Sequence, residues 1–253
     1  MISKAKSSVL SGADRKHNLM VRLGMTMGPH VDRVVARSSK IGDPAVFDPA
    51  AFPWISILEQ EWLTVRREAN VVLAANRVPA LSDISRDHYR VAIDDRWRCF
   101  FLWGYGYRND NNCARCPATA RIVESIPGLT TALFSVLRPG AHIPRHTGAT
   151  KTLITCHLPL IVPQDAQACR IAVSSRIYHW TIGRAFVFDD TREHEVWNDA
   201  DETRVVLLIH FRRPLRYPGK LLGNVFLSAI RHSSFVQEAR RNIEDWNKLA
   251  DRL

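Results

Sequence analysis

The sequence predicts a mainly β protein with flanking helices, its core an antiparallel sandwich or jelly roll. Three observations lead there. Between Gly128 and Pro214, short apolar runs follow one another: "LTTALFSVL", "TLITCHLPLIV", "CRIAVSS", "RAFVFD" and "TRVVLLIHF". Turn signals such as "RPGA", "VPQDAQ", "TIGR" and "WNDAD" separate them, with no helical spacing in between. Helical spacing is confined to the segments on either side.

Taken in order, residues 1–42 have weak periodicity and many small or charged side chains, and read as a basic N-terminal arm, frayed or partly helical. Residues 43–127 read as a lead-in packed on the core. In it, "PAVFDPAAFPW" is broken by three prolines and reads as an ordered loop. From Ile55 to Pro79, the residues Ile55, Leu58, Trp62, Val65, Ala69, Val72 and Leu73 recur at helical spacing, predicting one amphipathic helix closed by the proline. "RWRCFFLWGYGY" reads as a buried strand, and "NDNNCARCPATARIVESIPG" as a polar loop running into a short helix. Residues 128–214 are the β core. After it, residues 215–253 return to helical spacing in one or two basic amphipathic helices.

The bulk numbers exclude some classes. No run approaches the roughly 20 apolar residues that span a bilayer, and the N-terminus lacks the apolar core of a secretory signal. Five cysteines, an odd number, suit a reducing compartment. These features predict a cytoplasmic protein, peripheral at most to the inner membrane face. The net charge of +10 is uneven: residues 1–42 carry +6, residues 211–253 carry +5 and the middle −1. Basic ends attract polyanions or an anionic membrane surface. A non-catalytic β-sandwich that binds polyanions through its termini is therefore one hypothesis, although no RNA-binding signature appears and nucleic acid is not the expected partner.

The chemistry points elsewhere. His146 stands just after the turn-like "RPGAHIPR", and His194 follows "VFDDTRE". Neutral imidazole is the commonest ligand for iron, zinc and nickel. Two histidines among ten are a weak signal alone. Arg204 strengthens it, standing ten residues after His194 on the polar shoulder of "RVVLLIHF". An arginine inside a cavity needs an anion, and its fork fits a carboxylate. A histidine on an early strand, another on a late strand and an arginine on the last strand is the order that an iron and 2-oxoglutarate site requires.

The run "SVLRPGAHIPRHTG…CHLPLIVP…CRI…W…G…FDDTREHEVWNDADETRVVLL" resembles the aspartyl/asparaginyl β-hydroxylase family over about residues 128–214. The resemblance implies a double-stranded β-helix, cupin-like in kind, that binds Fe(II) and 2-oxoglutarate and uses O2 to hydroxylate an unactivated carbon. It implies His146 and His194 as the iron ligands. Arg204 and Ser135 would hold the distal carboxylate of 2-oxoglutarate, with His157 beside its C1 carboxylate. The family often has an arginine two residues before that histidine; here it is Thr155.

Most iron and 2-oxoglutarate enzymes add a carboxylate two residues after the first histidine. Here that residue is Gly148. Chemistry alone would suggest a dead site, or a halogenase with chloride in the gap. The resemblance implies instead a hydroxylase with water in the third position, because "HTG" belongs to the family. Asp189 and Asp190 read as closing a turn rather than binding metal. Cys113 and Cys116 are half a zinc motif without its other half and read as loop packing. Trp197 reads as core or cavity wall.

For substrate, the resemblance offers two branches. Animal members act on aspartyl or asparaginyl residues in folded modules. A bacterial branch hydroxylates lipid A and ornithine-lipid acyl chains, and "YGY…NC.RCP.TA…SIPGL" and "RHSSFVQEARRN" resemble it. "GKLLGNVFLSAIRH" mixes apolar and basic residues as an interfacial helix does. The expectation is a lipid acyl chain, reached through contact of the C-terminal helix with an anionic membrane surface. The alternative substrate is a peptidyl or free amino acid.

Overall fold

The computed structural model describes residues 28–85, 91–165 and 167–250. A helix over 28–38 (α1) is followed by strand β1 (Val46–Phe47), a 3-10 turn at Pro49–Ala51, and helices α2 (Trp54–Gln60), α3 (Trp62–Ala74) and α4 (Leu81–Ile84). The hairpin β2 (Trp97–Gly104) and β3 (Tyr107–Arg108) leads into α5 (Asp110–Arg115) and α6 (Pro117–Glu124). The core strands follow: β4 (Leu129–Leu137), β5 (Ala141–His146), β6 (Leu153–Ile161), β7 (Cys169–Val173), β8 (Arg176–Tyr178), β9 (Phe186–Phe188), β10 (His194–Asn198) and β11 (Arg204–Arg212). Helices α7 (Gly219–Arg231) and α8 (Ser234–Ala250) close the described chain.

The strands form a seven-stranded sheet, β1-β9-β6-β11-β4-β2-β3, and a four-stranded sheet, β5-β10-β7-β8. Apart from the β7–β8 hairpin, which stays in the small sheet, the segments β4 to β11 alternate between the two and give each sheet four strands, which is the double-stranded β-helix of a jelly roll. β1 and the β2–β3 hairpin widen the large sheet at its two edges.

Burial explains which strands were conspicuous in sequence. β4, β6 and β11 are covered on both faces and read as continuous apolar runs. One face, with Phe134, Val136, Leu158 and Leu207, shares a core with Leu58, Val65, Val72 and Val123 of the helices. The other face meets the small sheet through Leu137 and Val206 against Ile143, Ile171 and Val196. β5 and β10 are covered on one face only, so polar residues alternate with apolar ones. These two strands, which carry His146 and His194, were not marked by the apolar runs, and neither was the short β8.

The lead-in differs from expectation in three places. The helix expected over Ile55–Pro79 is two helices with a bend at Glu61, and it stops at Ala74, where Asn76 takes a left-handed φ of 50°. The polar loop before α6 is itself helical, because the Asn109 side chain caps α5 by accepting from the Asn112 N–H at 3.0 Å. The proline-rich loop contains β1 and the 3-10 turn. Of the N-terminal arm, residues 1–27 lie outside the described residues. α1 docks on the core, with Val35 fully buried and Asp32 accepting from the Lys151 N–H at 2.8 Å.

Candidate active site

His146, the last residue of β5, and His194, the first of β10, are register partners, and their ring centroids lie 4.0 Å apart. Nδ1 of His146 is 2.8 Å from the Pro144 carbonyl oxygen, and Nδ1 of His194 is 2.9 Å from that of Arg192. A carbonyl only accepts, so each Nδ1 carries the ring proton and each Nε2 keeps a bare lone pair. Extended backbone makes this repeatable: in both cases the carbonyl belongs to the residue two before. Burial lowers the pKa of both rings, that of His194 to about 4 with His146 contributing, so both are neutral at pH 7. Among the described residues, no third His, Cys, Asp or Glu completes a three-ligand cluster with them.

Arg204, the first residue of β11, is 1% exposed, yet its Nε and Nη1 have no hydrogen-bond partner. Its guanidinium lies over the Trp180 ring at 4.8 Å. Burial lowers its pKa to about 10, which leaves it a cation at neutral pH. Among the described residues no carboxylate forms an ion pair with it. A buried, uncompensated charge costs several kcal/mol, and an anion in this space would offset that cost.

Ser135 and Arg204 share one face of the large sheet: Arg204 pairs with Leu137 and Val206 with Ser135 on the adjacent strand. The buried Ser135 Oγ accepts from Trp97 Nε1 at 3.1 Å and keeps its own O–H to donate. His157 on β6 is on the same face, paired with Leu208. Its Nδ1 accepts from Trp180 Nε1 at 3.3 Å, which puts its proton on Nε2. Burial, with Arg204 adding, holds its pKa well below the usual range, so it is a neutral donor. The Phe188 ring joins the two sheets, 5.2 Å from His157 and 5.4 Å from His194. The structure therefore gathers His146, His194, His157, Ser135 and Arg204 inside the sandwich.

The space beside Gly148 is already taken. A Cβ there would fall 2.6 Å from Asp190 Oδ2 and closer still to Oδ1 and Cγ. The Gly148 N–H also donates to the Asp190 carbonyl at 2.7 Å. Any side chain at 148 would have to displace the Asp190 carboxylate, which comes from the turn after β9. Burial, then the neighbouring Asp189, raises the Asp190 pKa to about 7. The turn-closing role expected of both aspartates belongs to Asp189, whose Oδ1 accepts from the Thr191 N–H and O–H, while Oδ2 accepts from Lys151 and Arg213.

Sequence reasoning missed Trp180, which touches both His157 and Arg204, and the placement of Asp190. Trp180 stands in a loop with no periodicity, so only the folded chain assigns it a partner. Trp197 is not core: it lies on the outer face of the small sheet, stacked with His142 at 5.6 Å and beneath Arg170 at 4.9 Å. Cys113 and Cys116 are buried free thiols in the main core, as loop-packing residues would be. A cavity of about 340 Å³ lies between α8, α4 and the β2–β3 hairpin and is lined by none of these histidines.

The paired imidazoles, the buried arginine and Gly148 all lie within a segment that matches one known family. Residues 59–214 match the family described as Aspartyl/Asparaginyl beta-hydroxylase, and the chain belongs to that family of hydroxylases. It is 37% identical over 230 residues to "Ornithine lipid ester-linked acyl 2-hydroxylase" of Rhizobium tropici, covering 90% of this chain and 82% of that protein. It is 31% identical over 165 residues to "Aspartyl/asparaginyl beta-hydroxylase" of Homo sapiens, covering 63% of this chain but only 21% of that protein. Among solved structures, a predicted oxalate decarboxylase from Thermotoga maritima aligns over 46% of this chain and 80% of its own, at 10% identity and a TM-score of 0.32.

Proposed function

We propose that this protein is an Fe(II)- and 2-oxoglutarate-dependent dioxygenase that hydroxylates the acyl chain of a membrane lipid. One observation carries the cofactor reading: two register-paired imidazoles with bare Nε2 atoms stand in the same sandwich as a buried guanidinium that lacks a counter-anion. The donor set fits the cofactors. Neutral imidazoles suit Fe(II), and the cationic fork of Arg204 suits a carboxylate. When bound, iron and 2-oxoglutarate together activate O2 and supply the oxidant for a C–H bond.

The chain's own residues do the rest. The Pro144 and Arg192 carbonyls fix the tautomers of His146 and His194. Arg204 and the Ser135 hydroxyl hold the distal carboxylate of 2-oxoglutarate, and the Trp180 face supports the guanidinium. His157 offers its Nε2–H to the other carboxylate. With glycine at 148, a metal held by the two histidines would take water in place of a third protein ligand; the Asp190 carboxylate packs against Gly148. A non-catalytic polyanion-binding protein would leave Arg204 and the paired imidazoles without a role.

Two observations favour a lipid over a peptide. The similarity to the Rhizobium lipid hydroxylase extends over 90% of this chain, whereas that to the human protein covers 63%. In addition, α7 seats its buried Gly219, Gly223 and Leu227 on the body of the protein and leaves Leu221, Leu222 and Val225 exposed, with Tyr217 exposed just before it. Arg216 and Lys220 flank that apolar stripe, as on a helix lying at an anionic membrane surface. No helix among the described residues is long and apolar enough to cross a membrane.

The test is anaerobic addition of Fe(II) and 2-oxoglutarate to metal-free protein, followed by O2 with ornithine lipid or an aspartyl peptide. The expected results are a weak visible charge-transfer band, absent from His194→Ala, and a lipid product heavier by one oxygen. No band in the wild type would overturn the cofactor reading. A band with turnover of the peptide but not the lipid would overturn the lipid reading alone.

A further inference from the structure

The large cavity away from the histidines is walled by Leu81, Ile84, Phe101, Tyr105, Phe235 and Val236. Its volume of about 340 Å³ lies in the range of small-molecule sites. Cations also line it, but each has an acid: Arg108 pairs with Asp110, Arg240 with Glu244 and Lys248 with Asp245. The cavity therefore suits hydrocarbon better than a charged head group.

It is also joined to the histidine site. Phe101 pairs with Leu133, Leu133 with Leu208, and Leu208 with His157, one residue from each of β2, β4, β11 and β6 in a single row. Leu81, Phe101, Leu133 and Leu208 belong to one apolar cluster, in which Phe101 and Leu208 remain partly exposed. At the usual strand separation the row spans about 14 Å from Phe101 to His157. A second connection runs along the wall. The Tyr105 N–H donates to Thr131 Oγ1 at 3.3 Å, Thr131 is the register partner of His210, and His210 Nε2 lies 3.7 Å from Asp190 Oδ2.

We propose that this cavity holds the distal part of the substrate's acyl chain, while the carbons next to the head group lie at the histidine pair. The assignment rests on the lipid reading above and adds a place for the tail. It makes acyl length, not head-group charge, the quantity that this cavity measures.

The first arm needs no cofactor. A dansyl-labelled undecanoic acid is bound to the metal-free full chain and displaced by saturated fatty acids from butanoic to hexadecanoic. Affinity should rise roughly fourfold per added methylene and then level off when the cavity is full. Ala239 lines the cavity from a partly exposed position on α8. Ala239→Phe should bring the plateau to shorter chains, and Ile243→Ala, which enlarges the same wall, should move it to longer ones. Length-independent displacement, or a plateau that neither cavity variant moves, would overturn the proposal.

The second arm is turnover with iron and 2-oxoglutarate on short- and long-chain lipids. Ala239→Phe should lose long-chain turnover and keep short-chain turnover. If it hydroxylates both like the wild type, the cavity assignment fails and the lipid reading stands. If the wild type hydroxylates no lipid of any length, the lipid reading fails and the assignment fails with it.

Discussion

Gly148→Asp restores, on paper, the carboxylate that most enzymes of this chemistry carry. The structure says that the substitution damages the site. A Cβ at 148 meets Asp190 Oδ2 at 2.6 Å and Oδ1 and Cγ closer still, where ordinary contact begins near 3.4 Å, so the Asp190 side chain must retreat by more than about 0.8 Å. Overpacking of this kind costs about 1–3 kcal/mol. The new carboxylate also faces the old one: two charges about 4 Å apart repel by about 4 kcal/mol at an effective dielectric constant of 20. Protonation of one carboxyl relieves most of that, since Asp190 already titrates at about 7. The net loss should be about 2–4 kcal/mol. For a chain of this size that lowers Tm by roughly 4–16 °C. Thermal melts of metal-free wild type, Gly148→Asp, Asp190→Gly and the double variant form a mutant cycle. The double variant exchanges the carboxylate from one backbone to the other and should melt well above Gly148→Asp. Mn(II) titration of the same four proteins reports whether the exchanged carboxylate serves the site. A wild-type Tm for Gly148→Asp, or a double variant no more stable than Gly148→Asp, would refute the packing argument.

Other changes separate the remaining roles. Arg204→Met removes an uncompensated buried cation; it should raise the Tm of the free protein, by a few degrees, and abolish the stabilisation that 2-oxoglutarate confers, both read by calorimetry. Asp189 is buried, which alone would raise its pKa, but Lys151, Thr191 and Arg213 hold it below the usual carboxylate value. Its contribution to stability is therefore complete above the unfolded aspartate pKa near 4 and is lost as pH falls through the lower folded value. Asp189→Asn removes one of the two carboxylates paired with the fully buried Arg213, leaving Asp43, and should cost about 1.5–3 kcal/mol at pH 7, with the difference from wild type shrinking in acid melts. Replacing Leu221 and Val225 together by Ser should weaken retention on anionic vesicles by about tenfold, as measured by sedimentation, without changing Tm, because both side chains are exposed.

Legibility in the sequence followed burial. β4, β6 and β11 lie between two covered faces, so most of their positions are apolar and the strands announce themselves. β5 and β10 have one wet face, and β5 also contains Pro144, so neither stood out. Their histidines were found through motif and spacing instead. The long helix of the lead-in was visible in its buried residues but not in its bend at Glu61, because a single turn's change of direction leaves the 3.6-residue period nearly intact. α5 was missed because its polar residues read as a loop until the Asn109 cap is seen.

What the sequence by itself determined was chemistry that is local in the chain: a β core between helical ends, two histidines and an arginine in order, and a glycine where a carboxylate is usual. Each follows from alternation, turn residues or spacing, and these are properties of neighbours along the backbone. Only the tertiary structure decided that His146 and His194 face each other in register, that Trp180 bridges His157 and Arg204, and that Asp190 stands where a side chain at 148 would have stood. Those relations join residues from 23 to 48 positions apart. They exist because the chain crosses repeatedly between two sheets, and the order of those crossings, not the identity of any one segment, brings the groups together.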